Sequence, residues 1–169
     1  MSRKPAVLFV CLGNICRSPL AEGVFRHVVR EAGMQDRFLI DSAGTSGYHT
    51  GEAPDPRTCA VAAARGVVLD HAARRFGPHD LERFDYVLAM DADNLERVQE
   101  AARGSRSGAY VGLLREFDPE APAGAEVPDP YFGGERGFED VHDMVERACR
   151  GLLDHILAEE SRPGRQAGG

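Results

Sequence analysis

An uninterrupted apolar segment, Ala-Val-Leu-Phe-Val-Cys, occupies residues 6–11 of the chain. Its β-branched and aromatic residues predict a strand, and the lack of alternating polar residues predicts that both faces of this strand are covered. Strands of this kind lie at the centre of parallel sheets, because the connections between parallel strands place helices over both faces. This segment therefore indicates an α/β fold with a buried parallel sheet.

A helix is predicted directly after this strand. Gly13 and Asn14 are turn-forming residues, and Ser18-Pro19 has the form of an N-cap followed by proline at the first helical position. Gly33 is a natural helix stop. The apolar positions between these signals repeat every four residues: Leu20, Val24 and Val28.

The rest of the chain alternates between the two kinds of element. Further strands are predicted at residues 38–40, 86–90 and 109–111, and helices at 56–65, 92–102 and 138–160. This alternation predicts a single-domain α/β fold, over residues 1–160, with a parallel sheet covered by helices on both faces. The proline-rich residues 117–134 predict a long surface loop, and the polar, glycine-rich residues 161–169 predict a disordered tail.

Charge and hydropathy exclude several classes of partner. The chain carries 27 acidic and 20 basic residues and a formal net charge of -7, which disfavours binding to nucleic acid or to an anionic membrane surface. No apolar run approaches the roughly 18 residues of a membrane-spanning helix. The short apolar run after Arg3 and Lys4 lacks a cleavage site, so secretion is not expected.

The four cysteines predict a reducing environment. Cys11, Cys16, Cys59 and Cys149 contain no CxxC pair and are too sparse for a disulfide scaffold. We therefore expect a cytoplasmic protein that has no metal site and keeps at least one thiol free for chemistry.

Residues 11–18, Cys-Leu-Gly-Asn-Ile-Cys-Arg-Ser, connect the buried strand to the helix. Ligands of open α/β sheets bind at the carboxyl ends of strands, and the first amides of a helix point out of its end without internal partners. An anion satisfies these amides, so a phosphate pocket is predicted here. The same amides and the Arg17 guanidinium favour the thiolate form of Cys11, and Arg17 offers a planar fork to two phosphate oxygens.

The spacing from Cys11 to Arg17, a cysteine and an arginine separated by five residues, is weak evidence for a functional loop by itself, because the chain contains this spacing twice. Cys59 is likewise followed by Arg65 after five residues. That copy lies in an alanine-rich helical segment with no preceding strand and no glycine, which is typical of a helix with a small packed thiol. The context of the first copy is what predicts a functional loop.

Residues 10–22, Val-Cys-Leu-Gly-Asn-Ile-Cys-Arg-Ser-Pro-Leu-Ala-Glu, resemble the signature of the low-molecular-weight protein-tyrosine phosphatases. The resemblance continues through Asp41-Ser42-Ala-Gly, Pro54-Asp-Pro56, Asp70-His71, Asp91 and Asp129-Pro-Tyr-Phe-Gly133 and covers about residues 6–157. It implies a four-stranded parallel sheet, hydrolysis of phosphotyrosine in proteins through a phosphocysteine, and release of inorganic phosphate. It implies no metal and no organic cofactor.

The resemblance also implies roles for individual residues. Cys11 is the nucleophile, Arg17 binds the phosphoryl group, and Asp129 is the general acid and later the base. Ser18 donates its hydroxyl proton to the Cys11 sulfur, while N-capping is the alternative role of that residue. The remaining assignments are the phosphate-binding loop (Leu12, Gly13, Asn14, Ile15, Cys16 and Ser18), the supporting residues Ser42 and His71, and the substrate slot (Tyr48, Tyr131 and Phe132).

Asp129 is also the best acid on the evidence of the residues themselves. Asp55 and Asp118 precede proline as well, and turn formation is the usual role of such pairs. Only Asp129 is followed by two aromatic residues that could line a slot for a ring. Two positions depart from the commonest family pattern, since Phe132 replaces a frequent tyrosine and Tyr48 replaces a frequent tryptophan, but both remain aromatic.

Two alternatives are left open. A protein-arginine phosphatase of the same fold usually has threonine where this chain has Ile15, and the bulkier Ile15 favours an aryl ester. A thiol redox or phosphate-binding sensor would use Cys11 and Cys16 as a reversible disulfide, although Arg17 and Asp129 together argue for turnover. Arsenate reduction is set aside, because residues 60–148 contain no cysteine for a relay. We expect a monomer or a weak homodimer.

Overall fold

A four-stranded, all-parallel sheet in the order β2-β1-β3-β4 forms the centre of the protein in a computed structural model that describes residues 4–162, except the side chains of Phe132 and Glu135. The strands are β1 (Ala6–Cys11), β2 (Leu39–Gly44), β3 (Tyr86–Ala89) and β4 (Tyr110–Leu113). The predicted four-stranded parallel sheet is confirmed. The main difference is that β2 continues four residues beyond its predicted end, to Gly44.

Helices cover both faces of the sheet, as predicted. They are α1 (Arg17–Glu31), α2 (Pro56–Ala64), α3 (Asp80–Arg83), α4 (Ala92–Arg103) and α5 (Gly137–Glu160). Short 3-10 turns cover Gln35–Arg37, Leu114–Phe117, Pro130–Phe132 and Gly134–Arg136. Within the described residues no helix is long and apolar enough to cross a membrane.

Strand β1 is buried on both faces. Val7 and Phe9 belong to the core formed with α1 and α5, whereas Leu8 and Val10 belong to the core on the side of α3 and α4. All four side chains are fully buried. The uninterrupted apolar run is therefore explained by helices packed on the two sides of the sheet.

Helix α1 begins at Arg17, so the prediction that Ser18 caps this helix is wrong. Cys16 occupies the N-cap position, and no side chain there accepts a hydrogen bond from the helix amides. The Ser18 hydroxyl instead turns inward to the sulfur of Cys11, 2.9 Å away. The helix ends at Glu31, just before Gly33, which has a φ of 72°.

The strand order places a crevice at the carboxyl ends of β1 and β3. The chain moves from β1 to β2 in one direction and then crosses back to β3 on the other side, and ligands of open sheets bind where the order reverses in this way. Cys11 ends β1, and Asp91 follows Met90 just beyond β3. The fold therefore brings these two residues to the same edge.

Helix α5 ends at Glu160, the residue at which its end is predicted. Ser161 and Arg162, which the sequence assigned to a disordered tail, donate backbone hydrogen bonds to Leu157 and Glu159 of that helix. The rest of the predicted tail, residues 163–169, lies outside the described residues.

Candidate active site

The sulfur of Cys11 lies inside the curve of residues 12–16. It accepts a hydrogen bond from the Asn14 backbone amide at 3.3 Å and lies 2.9 Å from the Ser18 hydroxyl. Ser18 Oγ accepts from Asn14 Nδ2 at 2.8 Å, and of the two acceptors for its own proton the sulfur is nearer than the Ala43 carbonyl oxygen, which lies 3.4 Å away. Two donors therefore point at Cys11, which is the arrangement that stabilises a negatively charged sulfur.

Asn14 holds the loop in its curved shape. Its φ of 58° lies in the left-handed region, and it is the only non-glycine residue among residues 4–162 with a positive φ. The buried side chain makes four hydrogen bonds: Oδ1 accepts from the amide of Arg74 and from His71 Nε2, and Nδ2 donates to Ser18 and Ser42. These contacts offset the cost of an unusual backbone conformation.

A buried network lies behind Asn14. Ser42 donates to Glu22 Oε1 at 2.7 Å, and His71 Nδ1 lies 3.1 Å from the same oxygen. Burial raises the pKa of Glu22, but hydrogen bonds from His71 and Ser42 and the charges of His71 and Arg26 more than offset this and lower it. The other ring nitrogen of His71, Nε2, lies 2.7 Å from the side-chain oxygen of Asn14, so the imidazole links Glu22 to the loop.

Sequence reasoning placed Ser42 and His71 beside the loop but missed Glu22, although this residue ends the quoted signature. Glu22, Asp41 and His71 also form the one group within residues 4–162 whose ligand atoms lie close enough to hold a metal ion. Their oxygen atoms accept hydrogen bonds from Ser42, Arg26 and Arg74. The cluster is therefore a satisfied network that supports the loop.

Gly44, at the end of β2, seats the loop against the sheet. A Cβ atom at this position would lie 2.7 Å from the Leu12 carbonyl oxygen and 3.1 Å from the Asn14 amide nitrogen. Such contacts are too close for any side chain. Glycine is therefore required for the loop backbone to lie against this strand.

The guanidinium of Arg17 is buried and held from one side. Its Nη1 donates to Asp91 Oδ2 at 2.8 Å and to the Val127 carbonyl at 3.0 Å. Within the described part of the chain, Nε and Nη2 have no hydrogen-bond partner. One edge of the fork is thus fixed by the protein, and the opposite edge is available to a phosphate.

Asp129 lies at the start of the 3-10 turn Pro130–Phe132, where its Oδ1 accepts from the Tyr131 amide at 3.0 Å.

The two other aspartates that precede proline, Asp55 and Asp118, have structural contacts instead. Asp55 caps α2, whereas Asp118 is 3% exposed and paired with Arg115 and Arg147. Burial raises the pKa of Asp118, but the hydrogen bonds from the Glu120 amide and from Arg147 lower it overall. An aspartate stabilised in its charged form is a poor proton donor.

Tyr131 joins the turn that begins at Asp129 to the predicted phosphate loop. Its hydroxyl donates to Asp55, and Cys16 Sγ donates to the same hydroxyl at 3.6 Å. The Arg57 guanidinium lies 4.4 Å from the centre of the Tyr131 ring. Burial and the hydrogen bond to Asp55 raise the pKa of Tyr131, and burial raises the pKa of Cys16. Sequence reasoning did not predict these contacts.

The outer rim of the site is formed by exposed residues. Tyr48 is 86% exposed, and its ring packs edge-on against His49 at 5.2 Å. His49 in turn lies against the loop, since its Cδ2 atom is 3.0 Å from where a Cβ of Gly13 would be. Ile15 is half-buried and accepts from the Asp55 amide through its carbonyl. The predicted slot contribution of the Phe132 side chain lies outside what the structure describes.

Comparison with known proteins identifies relatives of this arrangement. A sequence model of the family described as low molecular weight phosphotyrosine protein phosphatase matches residues 6–162. A low molecular weight protein-tyrosine-phosphatase of Streptomyces coelicolor is 50% identical over 162 residues, which is 95% of this chain and 98% of the relative.

Two solved structures show the same fold. A crystal structure of a protein tyrosine phosphatase from Entamoeba histolytica has a TM-score of 0.85 and 37% identity, and the match covers 93% of this chain and 99% of the other. A crystal structure of a Drosophila arginine phosphatase has a TM-score of 0.82 and 31% identity, with coverage of 89% and 96%.

Proposed function

The chain belongs to the low molecular weight phosphotyrosine protein phosphatase family, and we propose that it hydrolyses phosphotyrosine in proteins with Cys11 as nucleophile, Arg17 as phosphoryl-binding residue and Asp129 as general acid and base. The observation that carries these roles is the position of the Cys11 sulfur inside the loop, with the Asn14 amide and the Ser18 hydroxyl directed at it.

In the first step the thiolate of Cys11 attacks phosphorus, and the bond from phosphorus to the tyrosine oxygen breaks. Protonated Asp129 gives its proton to the departing oxygen, so that tyrosine leaves as a neutral phenol. The free edge of Arg17 and the amides of residues 12–17 bind the phosphoryl oxygens. Ser18 and Asn14 stabilise the sulfur before attack.

In the second step the carboxylate of Asp129 takes a proton from a water molecule, and the oxygen of that water attacks the phosphocysteine. The bond from sulfur to phosphorus breaks, inorganic phosphate is released, and the Cys11 thiolate is restored. Every proton and electron pair in this cycle is supplied by the residues named and by water. The cycle therefore requires no metal and no organic cofactor.

The remaining expectations extend this proposal. The thiols of Cys11, Cys16, Cys59 and Cys149 are all free, which supports a reducing, cytoplasmic environment. We propose a monomer or weak homodimer whose partner is a phosphotyrosine protein rather than nucleic acid or membrane. The net charge of -7 supports that choice.

The arginine phosphatase alternative is not favoured. The relative with 50% identity carries the name of a tyrosine phosphatase, whereas the structure named as an arginine phosphatase is 31% identical. Ile15 places a branched apolar side chain in the phosphate loop, where it suits an aromatic ring better than a polar guanidinium.

Hydrolysis of p-nitrophenyl phosphate in the presence of a chelator tests the proposal, since a binding module or redox sensor would not turn over this compound. Cys11→Ser should abolish turnover and keep phosphate binding, because the loop amides and Arg17 remain while the hydroxyl stays protonated. Cys59→Ser is the matched control and should retain activity. Substantial hydrolysis by Cys11→Ser would contradict the assignment of the nucleophile.

A further inference from the structure

A groove of about 500 Å³ begins at the phosphate loop and runs along α4. We call it the α4 groove. Leu12 and Thr45 line its near end, and Asp93, Glu96 and Glu100 line the side formed by the helix. Leu12 directly follows Cys11 in the chain, so the near end is one residue, or about 3.8 Å between Cα atoms, from the proposed nucleophile.

The α4 groove is acidic. Asp93, Glu96 and Glu100 are exposed, and none of them makes an ion pair within residues 4–162. Arg97 is the one basic residue in its lining, which leaves an excess of negative charge. Among the described residues, these three carboxylates do not lie close enough to one another or to other ligands to hold a metal ion. Their arrangement along a helix suits an elongated cation.

A buried polar atom supplies independent evidence for a ligand. Asn94 also lines the α4 groove, is 2% exposed, and its Oδ1 has no hydrogen-bond partner in the structure. An unpaired buried carbonyl is unfavourable unless a donor reaches it. Ammonium and guanidinium groups are donors without acceptors, so they match an unpaired carbonyl and the exposed carboxylates that line the same groove.

We propose that the α4 groove binds a lysine or arginine side chain of the protein substrate, close in sequence to the phosphotyrosine. The inference rests on the proposed function, because it assumes that a phosphotyrosine is held at Cys11. Residues 93 and 100 are seven positions apart on a helix, which is about 10 Å, and an extended peptide covers that length in about three residues. The basic residue should therefore lie within about three positions of the phosphotyrosine.

Phosphotyrosine peptides that differ at one position test this inference. One series places a lysine singly at each of the three positions on either side of phosphotyrosine, and a reference peptide has alanine throughout. An exposed ion pair is worth about 0.2–1 kcal/mol, and contact with two carboxylates corresponds to a preference of about 2- to 30-fold in kcat/KM at low salt. The preference should appear mainly in KM and should decrease as salt is added.

A triple variant identifies the groove as the source of the preference. Asp93→Asn with Glu96→Gln and Glu100→Gln should remove the preference for lysine and leave hydrolysis of p-nitrophenyl phosphate unchanged. A control triple removes three exposed acidic residues from other surfaces: Asp36→Asn, Glu82→Gln and Asp154→Asn. This control has the same net charge and should keep the preference.

Three results would overturn the inference: equal kcat/KM for every lysine peptide and the alanine peptide, a preference that survives in the groove triple, or one that disappears equally in the control triple. Failure of the wild-type protein to hydrolyse p-nitrophenyl phosphate would instead contradict the proposed function. In that event, binding of the same peptides to Cys11→Ser would still decide whether the α4 groove selects a basic side chain.

Discussion

Arg17 Nη1 donates to Asp91 Oδ2 at 2.8 Å, across the gap between the ends of β1 and β3. The Arg17 side chain is 8% exposed and that of Asp91 is 24% exposed, so the pair is largely shielded from water. Asp91 also caps α4 by accepting from the Asn94 amide through its other oxygen. One carboxylate thus holds Arg17, the proposed phosphoryl-binding residue, and caps a helix.

The substitution Asp91→Asn should keep the cap of α4 and weaken the contact with Arg17. Asparagine keeps an oxygen for the Asn94 amide, so α4 should remain capped, but it cannot hold the Arg17 guanidinium through a charged pair. We expect kcat/KM for p-nitrophenyl phosphate to fall by about 10- to 100-fold, because small displacements of a positioning group are costly. Asp93→Asn is the matched control and should retain wild-type kinetics. Wild-type kinetics in Asp91→Asn would refute the orienting role.

Asp129→Asn should act selectively on substrates with basic leaving groups. Phenyl phosphate needs a proton donor more than p-nitrophenyl phosphate does, and general acid catalysis typically contributes about 10²–10⁴-fold. Single-turnover rates should therefore show a steeper dependence on leaving-group pKa in the variant. Single turnovers are needed because slow hydrolysis of phosphocysteine would affect all substrates alike. Equal losses across the series would exclude Asp129 as the leaving-group acid.

Mild peroxide should oxidise Cys11 first and then join it to Cys16. The Cys11 sulfur lies beside the Asn14 amide and the Ser18 hydroxyl, whereas burial raises the pKa of the Cys16 thiol. Peroxide converts Cys11 to a sulfenic acid, and Cys16 attacks that sulfur with release of water. Mass spectrometry should find the disulfide, and thiol treatment should restore activity. Cys16→Ser should recover less than Cys59→Ser; equal recovery would exclude protection by Cys16.

Stability should fall as the pH drops below about 6.5, the ordinary pKa of histidine. His142 is fully buried on α5, and burial together with the Arg65 guanidinium lowers its pKa. Between its folded and unfolded pKa values the unfolded chain binds more protons, so stability increases with pH in that window.

His142→Phe removes this titration and also the unpartnered Nε2 atom. Thermal melts should therefore depend less on pH between 5.5 and 7 in this variant than in the wild-type protein. His27→Gln replaces a half-buried histidine at the surface and should keep the wild-type dependence. If the melting temperature of His142→Phe depends on pH as strongly as that of the wild-type protein, other groups cause the loss of stability at low pH.

The sheet and the position of the curved loop after β1 were predictable because their signals are local. The apolar run of β1 and the turn residues that follow it identify both without reference to the rest of the chain. Helix α3 was missed, because its four residues are too short for a helical repeat to be visible. The Ser18 cap was wrong because tertiary contacts with Cys11 and Asn14 replaced the local hydrogen bond that propensity favours.

The long-range contacts of the site could not be predicted in the same way. Asp91 follows β3 as Cys11 ends β1, so the strand order predicts that they share an edge but not that Arg17 bonds to Asp91. The contact of Tyr131 with Asp55 joins residues 76 positions apart, and no periodicity or turn signal relates them. Such pairs depend on packing, which becomes visible only in three dimensions.

The network around Asn14 ties the shape of the proposed catalytic loop to a part of the chain that forms neither helix nor strand. His71 and Arg74 lie in irregular chain between α2 and α3, which contacts β2 through one backbone bridge, from Arg75 to Gly44, and through side-chain contacts with Asp41 and Ser42. Irregular segments exchange their amide hydrogens through local opening at a lower free energy than the sheet core. Inactivation on warming should therefore precede global melting, since detachment of this segment releases Asn14 while the central strands stay folded.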